Sequence, residues 1–164
     1  MKKALLLFLV LFVSGCNSTG NEAGLAEVIN VADGNFGPQL LRGFYEVEEG
    51  SWRWTQPKFA VALKPPRKAG SNGAILFLRY SIPDAVMAKL KETSISISVD
   101  GIPLAPEKVS KPGLAEIRRE VPADALKGKT GVTAEFSVDP VLPMSDVDKR
   151  LLGVIVHTAG LVKK

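Results

Sequence analysis

Trp52 and Trp54 stand two residues apart, so on an extended chain both leave one side and Arg53 leaves the other. Indole faces stack well on the apolar faces of pyranose rings, and two on one side would make a platform for sugar. Trp is also heavily buried on average, so the same pair could instead fill a core. Asp148 and Arg150 repeat that spacing near the end of the chain. An arginine fork holds a carboxylate bidentately. This pair therefore either clamps a loop, with Arg150 reaching Glu46 or Glu48, or offers hydrogen bonds to sugar hydroxyls. Arg79 interrupts the apolar run Ala74 to Ile82 and shares a face with Ile75 and Phe77. A charge there needs a partner or water. A groove floored by Phe77 and edged by Arg79 and Trp52 would supply water and a binding site together.

Catalytic chemistry finds less support. Glu46, Glu48 and Glu49 are close in sequence, but glycoside hydrolysis needs two carboxylates facing each other across a substrate. His157 is the only histidine, and no Gly-x-Ser-x-Gly turn accompanies it. No glycine-rich phosphate cradle is present either. The expectation is a non-catalytic protein whose candidate ligand-binding residues are Trp52, Trp54, Phe77, Arg79, Asp148 and Arg150.

Composition narrows the chemistry further. Cys16 is the only cysteine, so an intramolecular disulfide and a thiolate metal cluster are excluded. A zinc site takes three or four Cys, His or carboxylate ligands, and neither a metal nor another cofactor is expected. The net charge of +4 includes Lys2 and Lys3. The remainder is too weakly basic for a nucleic-acid partner. With 46% hydrophobic and 23% charged residues among 164, the chain has material for one packed core.

The elements that must position these residues read as β. Phe59, Val61 and Leu63 alternate with Ala60, Ala62 and Lys64; Ser94 to Val99 alternates strictly; Val132, Ala134, Phe136 and Val138 point one way. Asp100-Gly101 supplies the positive-φ pair of a tight hairpin. Trp52 to Thr55 is short, with Pro57 interrupting it, and Ala74 to Ile82 is apolar enough for a strand covered on both faces. Pro83 to Leu90 carries Val86, Met87 and Leu90 at helical spacing. Leu114 to Val121 makes a weaker strand, Pro122 to Lys127 a short turn, and Leu151 to Val156 a last strand extending toward Val162. Ala26 to Val31 is either a helical turn or an edge strand. Seven to nine short strands with one or two helical turns predict an all-β, antiparallel, jelly-roll-like β-sandwich.

The N-terminal stretch MKKALLLFLVLFVSGC differs in kind. Two lysines precede ten apolar residues, Ala4 to Val13. That is too few to span a bilayer, which takes roughly 20 in a helix, and the segment reads as a secretion signal. Val13-Ser14-Gly15-Cys16 resembles the lipobox of bacterial lipoproteins. The resemblance implies cleavage after Gly15 and acylation of Cys16, palmitate included, so that a membrane becomes a partner. Asn17 after the cysteine implies, by the same pattern, sorting to the outer membrane of the cell envelope. The expected organisation is a signal peptide over 1–15, a lipidated cysteine and tether over 16–35, and the sandwich over 36–164.

A second likeness runs through the body of the chain. Tyr45/Glu46, Arg53-Trp54-Thr55, Asp100-Gly101 and Asp148-Lys149-Arg150-Leu151-Leu152-Gly153-Val154 stand in an order similar to jelly-roll modules appended to bacterial glycosyltransferases and envelope polysaccharide proteins. That similarity implies the same sandwich and a role with carbohydrate. A protein-interaction or structural lipoprotein of an envelope assembly is the alternative.

Overall fold

The computed structural model describes residues 24–164. The expected signal peptide, the acylation site Cys16 and the first part of the tether lie outside the described residues. Among the described residues nine strands are formed: β1 (Val28–Asn30), β2 (Leu40–Glu48), β3 (Trp52–Leu63), β4 (Ala74–Ile82), β5 (Thr93–Val99), β6 (Ile102–Val109), β7 (Gly113–Val121), β8 (Val132–Asp139) and β9 (Ile155–Lys163). Between them lie a 3-10 turn (Gly34–Gln39) and three short helices, α1 (Ala69–Asn72), α2 (Asp84–Leu90) and α3 (Ala123–Leu126). The fold is the expected antiparallel all-β sandwich.

Hydrogen bonding runs in the order β6-β5-β8-β3-β9-β4-β7, with β1 added to β9 and β2 to β3. The long strand β3 joins the two layers. Arg53 and Trp54 pair with Val156 and Ile155 of β9, whereas Lys58 to Leu63 pair with β8. Pro57 falls between these ladders and takes a place in neither. Lacking an N–H, proline is tolerated where no ladder bond is due. The expected interruption is thus the point where one continuous strand changes partners. Gly43 lets β2 cross β3 closely. Its φ is +77°, and a Cβ there would stand 2.1 Å from the Lys58 carbonyl oxygen, a position only glycine fills.

The two ends of the strand order come back together. Arg119 of β7 donates to the carbonyls of Ala105 (2.6 Å) and Pro106 (2.9 Å) and to Glu107 (2.5 Å) on β6, which nearly closes the sandwich and shortens the exposed edges. Tyr80, beside this clasp, has its hydroxyl pushed up to about 12, by burial first and by Glu107 second, with Arg119 opposing.

Period-two alternation decides what is inside. Leu76, Leu78, Tyr80 and Ile82 of β4, Ile95, Ile97 and Val99 of β5, and Val132, Ala134, Phe136 and Val138 of β8 are buried. Phe59 stacks on Phe136 with centroids 4.9 Å apart and planes 12° apart. On β4 the expectation of two covered faces is corrected: Ile75, Phe77 and Ser81 are half-buried and Arg79 is exposed. Among the described residues no layer packs over that side, so its apolar residues rest on their neighbours in the sheet.

The stretch Ala26 to Val31 resolves into the edge strand β1, with Ile29 and Val31 fully buried. Two core side chains therefore precede the expected boundary at 36, and the sandwich begins before it. Leu152 makes an isolated bridge with Leu142, and the last regular strand starts later than expected, at Ile155.

Candidate functional site

Trp54 fills the core, 7% exposed. Trp52 is half-buried and meets it edge-on, centroids 6.4 Å apart and planes at 87°. Arg53, on the opposite side, donates to the Val31 carbonyl (2.7 Å) and the Tyr45 carbonyl (2.9 Å), tying the end of β1 and the end of β2 to β3.

Asp148 and Arg150 meet in the loop before β9. Nε of Arg150 donates to both oxygens of Asp148 (3.0 and 3.2 Å), one Nη donates to Asp148 at 2.8 Å, and the other donates to Glu48 at 2.7 Å. The Arg150 backbone N–H also donates to Asp148 at 2.9 Å. The guanidinium lies 5.2 Å from the Tyr45 ring centroid, and the Tyr45 hydroxyl donates to the Leu151 carbonyl at 3.0 Å. Hydrogen bonds from the Arg150 side chain, then from its backbone, hold the Asp148 carboxyl below the usual range. Asp148 and Glu48 in turn raise Arg150. This is the clamp expected from the spacing, with Glu48 as its third member; it closes the 140–154 loop onto β2.

Phe77 and Arg79 share the outer side of β4. Phe77 pairs with Gly160 of β9 and Arg118 of β7. A Cβ on Gly160 would stand 2.7 Å from Phe77 Cε1 and 2.9 Å from Val28 Cγ2, so both side chains lie against bare backbone. Arg79 pairs in register with Glu116 and Thr158, but Glu116 is taken by Arg118 at 2.9 Å. Arg79 has no ion-pair partner among the described residues. Next to it, His157 Nε2 lies 3.0 Å from Ser81 Oγ; burial, then the charge of Arg79, lowers the imidazole pKa. β9 lies between Trp52 and β4, so the expected three-sided groove is split: Phe77 and Arg79 are together, and Trp52 belongs to the tryptophan pair.

The other outer side carries a groove of about 390 Å³, within the roughly 300–1,000 Å³ typical of small-ligand sites. Ser96 and Ser98 of β5, Glu135 and Ser137 of β8, Lys58 of β3 and Arg42 of β2 line it, with Ile97, Phe136 and Pro103. Register assembles them. Ser96 pairs with Ser137, which pairs with Lys58; Ser98 pairs with Glu135, which pairs with Ala60, the partner of Arg42. Small residues along these rows leave the sheet surface hollow. Arg42 bonds Glu135, and Ser98 Oγ donates to Glu135 at 3.4 Å. The groove thus offers hydroxyls that both donate and accept, two cations and one carboxylate, a set matched to a polyhydroxyl ligand. Glu135 is the only carboxylate among its lining residues. Sequence reading missed this site, although its signal lay in the outward half of the Ser94 to Val99 alternation.

No family model matches the sequence, and no curated protein matches it. Among solved structures, 85% of the chain is similar to a family GH115 4-O-methyl-α-glucuronidase with specificity for decorated arabinogalactans, at 12% identity and a TM-score of 0.51; the chain spans 18% of that protein. It is similar at 10% identity and a TM-score of 0.42 to the CBM36-1 domain of a multidomain xylanase from the hindgut metagenome of Trinervitermes trinervoides, covering 75% of this chain and 87% of that domain. A cycloalternan-forming enzyme from Listeria monocytogenes, in complex with pentasaccharide substrate, is similar at 10% identity and a TM-score of 0.41, over 73% of this chain and 10% of its own. The first likeness shows the fold, an antiparallel β-sandwich, and the two more distant ones add nothing to it.

Proposed function

We propose that this chain is a membrane-anchored envelope lipoprotein whose sandwich binds carbohydrate and performs no chemistry on it. The observation that carries the reading is the groove over β5, β8 and β3, where Ser96, Ser137 and Lys58 form one polar row beside the Arg42–Glu135 pair. The test is a glycan array probed with the processed chain, repeated with a Lys58→Ala, Ser137→Ala variant. Both side chains are outward and unneeded for packing, so the variant keeps its Tm and loses most glycan retention. A chain that retains no glycan, or a variant that binds as well as the parent, defeats the reading.

The anchor rests on the lysines, apolar run and Val-Ser-Gly-Cys box of the first sixteen residues. Each buried acyl CH₂ contributes about 0.8 kcal/mol, so two or more chains hold a protein at the membrane. The expected location is the outer membrane, with Cys16 as the attachment point. Mass spectrometry of the N-terminal peptide checks this: a free thiol at Cys16 removes the anchor.

A second reading, a protein-interaction lipoprotein of an envelope assembly, is favoured by the outer side of β7, β4, β9 and β1. There Val28, 39% exposed, lies level with Phe77 across Gly160, and Leu114, 57% exposed, lies on the same side four residues along β7 from the partner of Phe77. Apolar patches of this kind mark contact surfaces when they are contiguous. Cross-linking in envelopes, with Leu114→Lys as the control, should capture one stoichiometric partner; an empty pull-down beside a positive array discards it.

A further inference from the structure

The loops at one end of the sandwich concentrate positive charge that the modest net charge of the chain conceals. Arg67, Lys68, Lys163 and Lys164, with Asn72 and Gly73, line a cavity of about 310 Å³, and the exposed side chains of Lys64 and Lys127 belong to the same set of loops. The carboxylates at this end are fewer: Glu27 is half-buried, Glu120 is held by Lys164 at 2.7 Å, Asp100 is paired with Lys129, and Asp124 is exposed. The opposite end, with Glu48, Glu49, Asp84, Glu92, Asp146 and Asp148 among its loops, carries no such surplus.

The chain enters the fold at that basic end. The Lys64 N–H donates to the Ala26 carbonyl at 2.9 Å and the Leu161 N–H to the Glu27 carbonyl at 2.8 Å. Leu25 Cδ1 lies 2.5 Å from where a Cβ on Gly131 would be. Only nine residues, Asn17 to Leu25, separate this point from Cys16. Nine residues reach at most about 32 Å even when fully extended. An anchor at Cys16 therefore attaches the chain at its basic end, and this end is the one that can come to within a Debye length of the bilayer.

We propose that this end is the surface on which the protein sits against anionic phospholipid, with lipid phosphates entering the Arg67–Lys68–Lys163–Lys164 cavity. The proposal rests on the lipid-anchor reading given above. Lysines near an anionic membrane are drawn to it, and the attraction is screened by salt. Docked this way, the long axis of the sandwich stands away from the membrane and the groove over β5 and β8 faces sideways, open to envelope polymers.

The test uses the full chain as the cell processes it, reconstituted on vesicles of phosphatidylcholine alone or with added phosphatidylglycerol, and labelled with an amine-acetylating reagent. Mass spectrometry reads each lysine. Lys68, Lys163 and Lys164 are expected to be protected several-fold on the anionic vesicles and released at high salt, while Lys89, Lys91 and Lys111 at the far end react equally on both. A Lys163→Glu, Lys164→Glu variant should lose the protection of Lys68 and keep its Tm. Equal labelling on the two vesicles overturns the proposal, as does protection of the same lysines by a soluble acidic polysaccharide but not by phosphatidylglycerol. Attachment to phosphatidylcholine vesicles reports the anchor separately. If that attachment is absent and Cys16 is unmodified, the anchor reading falls, and the docking surface stands only if phosphatidylglycerol still protects those three lysines.

Discussion

Arg79 interrupts an apolar run and Arg150 follows the charged pair Asp148-Lys149, and the fold treats the two arginines in opposite ways. Around Arg150 every direction is answered: Asp148 and Glu48 accept its donors and Tyr45 lies beneath its guanidinium plane. Around Arg79 the strand neighbours are Glu116, already paired to Arg118, and Thr158. The difference lies in the chain geometry nearby. A loop can fold its own acceptors onto an arginine, as Asp148 does from two residues away. A residue inside a strand meets only what register places beside it. The first arrangement closes a structure, and the second leaves a cation available on an open sheet surface.

The comparison breaks first at the tryptophans. If the clamp side is structural, Trp54→Ala should cost about 3–5 kcal/mol, the usual range for a buried Trp or Phe replaced by Ala, and urea titration would read it as a lowered midpoint. Trp52→Ala, half-buried, should cost less. A Trp52→Ala chain with unchanged Tm and lost glycan retention would instead return the pair to the role of sugar platform.

A smaller effect tests the open side. Gly160→Ala places a methyl against Phe77 Cε1, Val28 Cγ2 and the Glu27 carbonyl oxygen. Two of these contacts are flexible side-chain ends, so the expected loss is about 1–2 kcal/mol, the lower part of the range for overpacking. Phe77→Ala in the same chain should recover part of it. No recovery would show that the Glu27 backbone, rather than the ring, sets the cost.

Arg150→Ala follows. Its side chain and its two carboxylate partners are each about one-third exposed, so solvent screens much of the attraction. A loss of about 1 kcal/mol is expected, in the upper part of the surface-pair range because the geometry is bidentate and networked. Faster proteolysis within 140–154, compared with the parent chain, is the signature that separates a loop clamp from a generally weakened fold.

How much of this was legible in the sequence depends on the distance over which the deciding contact acts. Period two placed Phe59, Ile95 and Phe136 inside without knowledge of their partners, because pleating alone sets the sides. The spacing of Asp148 and Arg150 announced the clamp, since both ends of the main contact lie in one turn; that Glu48 rather than Glu46 completes it depends on the β2–β3 register. The groove needed more. Ser96, Ser137 and Lys58 come from three strands scattered over 80 residues, and nothing local says that they form one row. Trp52 was expected beside Phe77 for the same reason: sequence supplies sides, not neighbours. β1 stayed ambiguous because three residues are too short a sample to distinguish a helical period from an alternation.

The finest test of the comparison is electrostatic and concerns His157. Burial, then Arg79, lowers its pKa below the ordinary 6.5, so in this region the unfolded chain binds more protons than the folded one. Stability is then complete above pH 6.5 and declines as pH falls below it, through the lowered folded value. The effect is small, because the ring is partly solvated. Arg79→Ala should leave the stability near neutral pH unchanged within about 0.5 kcal/mol, as for a surface substitution, since no ion pair is lost. It should nevertheless raise the His157 pKa part of the way back, with the remainder held down by burial and readable as the midpoint of the imidazole resonance against pH. A midpoint that does not move would mean that Arg79 is bound elsewhere, and the contrast with Arg150 would dissolve. A midpoint that moves with no loss of stability identifies a cation held near others and committed to none, which is the property that sets the open sheet surface apart from the clamp.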